Sequence, residues 1–236
     1  MKVTILGISG SPVKDGNCDK LVQEALKTAT EVEGVETEFV SLADKDVAMC
    51  THCQYCIQNR SRCKIEDDAQ EIWDMMERAD GLILGGPTWF LTLAPPLTNL
   101  FSRLREAVFF SFRYRNKVGG SISCGWFGWG MDYTLDTIEG LMRACQIIPV
   151  ARGAAISSTA AYGKRAAYME HGALDDASGV VTVRNVGLRV VEIARMIKHA
   201  TESGIVLPKE QQVTTTGAAV KPRKKKFVEG VWREEA

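Results

Sequence analysis

Four cysteines within fourteen residues, Cys50, Cys53, Cys56 and Cys63, follow the spacing Cys-x2-Cys-x2-Cys-x6-Cys. Three thiolates on one tight loop and a fourth just beyond it can wrap a single small inorganic centre without a distant segment. That pattern points to a [4Fe–4S] cluster. Structural zinc more often draws on two cysteine pairs a dozen or more residues apart, which clamp the ion from opposite sides. Zinc and unligated thiols stay open as alternatives on spacing alone. His52 lies inside the run and could replace a thiolate, but a solvated loop histidine is the plainer reading.

A second chemical signature lies near the N-terminus, in the segment SGSPVKDGN. Ser9 and Ser11 supply hydroxyls, Gly10 and Gly16 permit close backbone approach, and Asn17 leads into a helical pattern whose first N–H groups point at the loop. Together they make an anion site without a cationic side chain at its centre. Neither GxGxxG nor GxxxxGK[ST] occurs here, so a monophosphate fits better than a dinucleotide or a triphosphate. Standing alone, the segment would equally suit an ordinary Ser/Gly turn capping a helix.

The elements that must position these loops can be read from periodicity. KVTILGI (2–8), TEFVSL (37–42), GLILGG (81–86), VGGSISC (118–124) and IIPVARGAAI (147–156) read as strands. Helical spacing predicts helices over about 18–32, 68–78, 97–108, 132–145 and 186–200. Strands alternating with helices of these lengths imply an α/β fold with a doubly wound parallel sheet, and five strands suggest the flavodoxin-like order 2-1-3-4-5. Ligands in such sheets sit beyond the carboxyl ends of the strands. The expected domain runs over 1–205, with the cysteine loop at 48–66 as an insertion. Residues 157–184 show weak periodicity, and 206–236 read as a C-terminal tail or subunit-embracing arm carrying the basic run KPRKKK.

Bulk composition narrows the function classes. Lys plus Arg and Asp plus Glu both number 29, so no general attraction to nucleic acid or anionic membrane follows. Seven cysteines, four of them clustered, do not resemble a secreted disulfide framework, which points to the cytoplasm. The long nearly uncharged stretch 81–101 is interrupted by glycines and prolines, against a membrane span.

GISGSPVKDGNCDKLV closely resembles the FMN phosphate loop of the NADPH-dependent FMN reductase family, particularly its iron–sulfur flavoprotein branch, which also has a compact cysteine motif after the second strand. The segments GGPTWFLTLAPPLTNLFSR and CGWFGWGMDYTL occupy the places of that family's two flavin-ring loops. The resemblance covers about residues 1–150. It implies FMN, with Ser9, Ser11, Gly16, Asn17 and Cys18 at the phosphate and Pro87, Thr88, Trp89 and Phe90 against the isoalloxazine ring. Gly125, Gly130 and Thr134 are the nearest matches in the glycine-rich loop. It also implies a homodimer or homotetramer with flavin sites near subunit interfaces.

Three departures stand out. Cys18 replaces a Thr or Ser, Leu91 replaces a glycine ahead of Pro95-Pro96, and Trp126, Phe127 and Trp129 crowd the glycine-rich loop. Those aromatics suit core or subunit contact, or a pocket for a planar substrate.

The resulting expectation is an oxidoreductase with FMN and a [4Fe–4S] cluster on Cys50, Cys53, Cys56 and Cys63, exchanging electrons with a ferredoxin-like carrier or a small acceptor. NAD(P)H is a candidate donor. No side chain is required as an acid or base; Tyr133 and His171 are possible proton donors without distinguishing spacing. Two alternatives compete: an FMN-dependent dehydrogenase or reductase of a small planar molecule, and a redox-sensing binding protein with structural zinc.

Overall fold

The computed structural model describes residues 1–157 and 172–205, and the backbone of two short strands beyond them. Three strands form the centre of the sheet: β1 (Val3–Ser9), β3 (Gly81–Trp89) and β5 (Val118–Gly125). They are apolar almost without alternation because both faces are covered. β2 (Val35–Ser41) and β6 (Ile148–Ile156) flank them and are more exposed. All five pair in parallel in the order β2-β1-β3-β5-β6. This is the expected flavodoxin-like arrangement, with one addition. β4 (Thr92–Leu93) pairs antiparallel to the end of β3, so β3 continues through Pro87, Thr88 and Trp89 into a hairpin.

Side-chain direction along β1 and β3 divides the interior into two cores, since successive residues point to opposite faces. Ile5 and Ile83 face α1 (Asn17–Thr30) and α6 (Ala177–Glu202). Leu6, Leu82 and Leu84 face α3 (Ala69–Arg78), α4 (Pro95–Ser102) and α5 (Met131–Ala144). The short helix α2 (Tyr55–Gln58) lies within the cysteine loop. Among the described residues, no helix is long and apolar enough to cross a membrane.

Two expectations need correction. The helix anticipated over 97–108 begins at Pro95, whose fixed φ suits a first turn, and ends at Ser102. Arg103 then turns inward, and the chain resumes as a π-helical turn at Ala107–Ser111. The last helix starts near Ala177, not Val186. Asp176 caps it, accepting the Gly179 N–H at 3.0 Å through Oδ1 and the Ile156 N–H at 2.8 Å through Oδ2. Gly179 and Gly187 stand at apolar-stripe positions among several valines, which disguised the helical period. His171 and most of the C-terminal tail lie outside the described residues; within the tail, Lys225–Val228 and Val231–Glu234 pair as an antiparallel hairpin.

Gly187 marks where α6 crosses α1. A Cβ built there would stand 2.2 Å from the Ala25 carbonyl oxygen, a backbone atom with no room to yield. Gly187→Ala should therefore destabilise the fold by about 1–3 kcal/mol through overpacking. The gain of about 1 kcal/mol that Ala brings to an exposed helix is overridden here. Urea denaturation checks this, and a midpoint at or above wild type would contradict the close crossing.

Candidate functional site

The carboxyl ends of β1, β3 and β5 open onto a cleft of about 200 Å³. Ser11, Asn17 and Cys18 form one wall, Pro87, Thr88 and Trp89 another, and Gly125 and Trp126 a third. Ser9, Gly16, Phe90, Gly130 and Thr134 stand off this wall. Ser9 is buried behind it, its Oγ accepting the Ser11 N–H at 3.5 Å. Thr134 braces the wall, with Oγ1 at 2.9 Å from Thr88 Oγ1, which also lies 3.2 Å from Ser123 Oγ. Phe90 is fully exposed at the β3–β4 turn, where Phe90 and Leu91 both adopt positive φ. Gly130 has φ +75°, and a Cβ there would meet Leu91 Cα at 2.6 Å, so the hairpin tip rests directly on the start of α5. Trp126 and Trp129 are exposed and Phe127 half-buried, which removes the two tryptophans from the core; Trp126 and Phe127 rings lie 4.3 Å apart. Tyr133 is exposed on α5.

The N-terminus of α1 is built to receive an anion. Gly16 is its N-cap, and among the described residues no side-chain cap satisfies its first N–H groups. Ser11 Oγ accepts the Val13 N–H at 3.0 Å and so shapes the loop. Lys14 pairs with Asp44 at 2.6 Å, tying this loop to the turn after β2. Asp19 Oδ2 accepts the Asp15 N–H at 3.0 Å, while Oδ1 is buried without a partner among the described residues, at a helix end whose dipole favours negative charge. Asn17 has a task that spacing did not reveal: its Oδ1 accepts the Ala173 N–H at 2.7 Å, holding the 3-10 turn Gly172–Asp175 against the loop. Cys18 and Cys124, both buried, border the cleft. Contact with Cys124, and then burial, push the Cys18 thiol well above its ordinary range, so it stays protonated.

The four clustered cysteines line a common small cavity. Their loop is sharply folded, with His52, Gln54 and Arg60 at positive φ. The His52 N–H donates to Cys50 Sγ at 3.4 Å. At Cys53 the Tyr55 N–H does the same, and chiefly for that reason the Cys53 thiol is lowered from its ordinary value. Burial raises Cys56, opposed by Arg105. His52 is exposed and engages Gln54. Among the described residues, no three His, Cys, Asp or Glu side chains converge tightly enough for one metal ion. A single tetrahedral zinc would need its thiolates within about 4 Å of each other.

Arg103 is the residue that sequence reasoning missed. It sat unremarked inside a predicted helix, yet its side chain is fully buried against the cysteine loop. Nε donates to Cys63 Sγ at 3.4 Å, Nη1 to Ala48 O at 3.2 Å and to Asp67 Oδ2 at 2.5 Å, and Nη2 to Ile65 O at 2.8 Å. Asp67 Oδ2 accepts the Ala48 N–H as well. The ion pair thus grips both flanks of the loop. Burial alone would raise the Asp67 carboxyl, but Arg103 and the Ala48 and Ala69 N–H groups hold it below the usual range. In the stretch LTNLFSRLREAV the only local signal was that Arg103 falls between Leu100, Phe101 and Leu104, among positions expected to be apolar.

The profile of the NADPH-dependent FMN reductase family matches residues 3–162. The chain belongs to that family. Within it, the chain is 38% identical over 196 residues to an iron-sulfur flavoprotein of Methanocaldococcus jannaschii, covering 82% of this chain and 98% of the relative. An iron-sulfur flavoprotein of Methanosarcina thermophila is 37% identical over 64% of this chain and 77% of its own length. Among solved structures, RosB with a bound riboflavin-phosphate intermediate superposes with a TM-score of 0.66 at 18% identity, covering 99% of this chain and all of that one. A solved NADH:FMN oxidoreductase gives 0.56 at 16% identity over 83% and 90% of the two chains. These likenesses show the flavodoxin-like fold. As a member of the FMN reductase family, the protein is a flavin-dependent oxidoreductase, and the uncapped α1 terminus and the cleft beside it suit FMN.

The Asn17 tether is directly testable. Asn17→Ala leaves the buried Ala173 N–H without an acceptor, which should cost about 1–3 kcal/mol. Hydrogen exchange at the Ala173 amide should accelerate together with a lowered urea midpoint, and unchanged exchange would remove Asn17 from this role.

Proposed function

We propose that the protein carries FMN in the cleft and a [4Fe–4S] cluster on Cys50, Cys53, Cys56 and Cys63, and exchanges electrons with a ferredoxin-like carrier or a small acceptor. The observation that carries this reading is the single cavity lined by all four thiols, in a chain that aligns with almost the whole of an iron-sulfur flavoprotein. The donor set suits a cluster: all thiolate, with N–H groups aimed at sulfur. FMN exchanges electrons in pairs or singly and an iron–sulfur centre singly, so together they interconvert two- and one-electron chemistry.

The chain's own residues then have defined tasks. The α1 terminus with Ser9, Ser11, Gly16, Asn17 and Cys18 would hold the phosphate, its free N–H groups donating to the oxygens. Pro87, Thr88, Trp89 and Gly125 would border the isoalloxazine, with Thr134 fixing the Thr88 rotamer and Phe90 and Gly130 setting the hairpin that overhangs it. The protonated Cys18 thiol adds no charge beside the phosphate. The 1–205 segment would act as one flavin domain, with the tail as an arm toward a second subunit.

Exposed Trp89 and Trp126 lining the cleft, with exposed Trp129 three residues on, favour a second reading, the reduction of a small planar molecule that stacks on them.

Anaerobically purified protein should contain about four iron and four sulfide per chain. Cys56→Ser should abolish the cluster's broad visible band while circular dichroism retains the fold. Stoichiometric zinc without iron would overturn the cluster.

Asn17→Asp, which adds charge near the phosphate, should weaken FMN binding at least about tenfold by calorimetry; equal affinity would displace the phosphate from this loop. Leu91 is fixed against Gly130 at the tip of the hairpin that follows the cleft residues Pro87–Trp89, and a misplacement of about 1 Å can cost on the order of a hundredfold in hydride transfer. NADPH should accordingly reduce the flavin more slowly than reduced ferredoxin in stopped flow. Leu91→Gly should selectively accelerate the NADPH reaction, and equal rates before and after would exclude crowding by Leu91.

A further inference from the structure

The electrostatics of the cysteine cavity carry an inference that rests on the proposed iron–sulfur site. Besides the four thiols, the cavity is lined by Lys64, Arg103 and Arg105, and none of its lining side chains is acidic. Lys64 and Arg105 are partly solvated, so their fields are screened. Arg103 differs: solvent does not reach its guanidinium, which stacks over Trp73 at 5.1 Å and spends its donors in three directions. Only a planar fork can reach Cys63 Sγ, the Ala48 and Ile65 carbonyls and Asp67 together, which a lysine ammonium cannot reproduce.

We propose that Arg103 is the positioning and potential-setting residue of the cysteine centre: its buried charge and its Nε–H bond to Cys63 Sγ raise the reduction potential of the thiolate-ligated cluster. One-electron reduction adds a negative charge to a centre that four thiolates already make anionic. A hydrogen bond to a ligand sulfur and a cation in a low-dielectric setting both stabilise the reduced state more than the oxidised one. Asp67 opposes this. Its carboxylate touches Nη1 at 2.5 Å on the side away from Nε, partly offsets the cation, and holds the guanidinium in register through the Ala48 N–H. The potential is then set by the balance of two buried charges, which predicts shifts of opposite sign when each is neutralised. A residue that merely staples the loop would give no such sign reversal.

The test uses anaerobically purified full-length protein with no substrate present: iron and sulfide assay, then redox titration followed by electron paramagnetic resonance. Arg103→Gln should lower the equilibrium constant for cluster reduction about tenfold, equivalent to about 59 mV for a one-electron couple. Asp67→Asn, which unmasks the arginine, should move the potential upward. Arg103→Lys should retain part of the wild-type value while losing the Cys63 bond, seen as an altered resonance line shape. Arg105→Gln, on the solvated wall, should shift the potential less than Arg103→Gln. If Arg103→Gln fails to load iron, Asp67→Asn decides the matter: an upward shift supports the assignment, and a downward or absent shift overturns it. Fully loaded variants with unchanged potentials, or Arg103→Gln and Asp67→Asn shifting in the same direction, would overturn the assignment to Arg103 alone. Absence of iron and sulfide from the wild type would overturn the cluster reading and this inference with it.

Discussion

Burial of both faces of β1, β3 and β5 is the constraint on which the remaining architecture depends. Two parallel neighbours cannot be joined by a tight hairpin; the chain between them must cross over, here through a helix. Helices therefore accumulate on both faces, and every strand's carboxyl end delivers its loop to the same edge of the sheet. The phosphate-type loop after β1, the cysteine loop after β2, the hairpin after β3 and the glycine-rich loop after β5 all leave from there. The apolar interior builds the edge, and the edge carries the chemistry.

What could be read from the sequence follows the strength of the local signals. β1, β3 and β5 are runs of apolar and small residues bounded by glycine or charge, and the cysteine spacing is confined to one loop, so neither needs tertiary information. Elements whose signal is tertiary were harder. α4 stops at Ser102, where Arg103 turns inward to loop partners such as Cys63, forty residues earlier in the chain. α6 starts early because Asp176 caps it, and its buried stripe holds Gly179 against β6 and Gly187 against α1, close approaches that no periodicity encodes. Asn17 reads as a phosphate contact from its place in the loop; its further bond to Ala173, which the loop does not announce, joins residues 156 positions apart. In each case the determining partner is distant in sequence, and a single chain read linearly has no access to it.

The cysteine loop is a long insertion between β2 and α3, with only a 3-10 turn at Leu42–Asp44 and the short helix α2 to stiffen it. Its order comes from the Arg103–Asp67 pair and from Gln70, whose Nε2 donates to Cys63 O at 2.9 Å and Ile65 O at 3.1 Å. A buried ion pair is weak evidence for net stability, because desolvation consumes much of the Coulombic gain. Its value here is directional. The guanidinium fork fixes where the two flanks of the loop stand, and therefore where four thiols face.

The contact between Gly130 and Leu91 has an evolutionary corollary. The hairpin tip and the first turn of α5 share a space too small for one methyl group, so the two segments cannot diversify independently. A descendant that gains a side chain at position 130 must also shorten or re-bend the hairpin, and one that lengthens the hairpin keeps glycine at 130. Sequence variation on these two rims of the cleft is thereby inherited as a coupled pair.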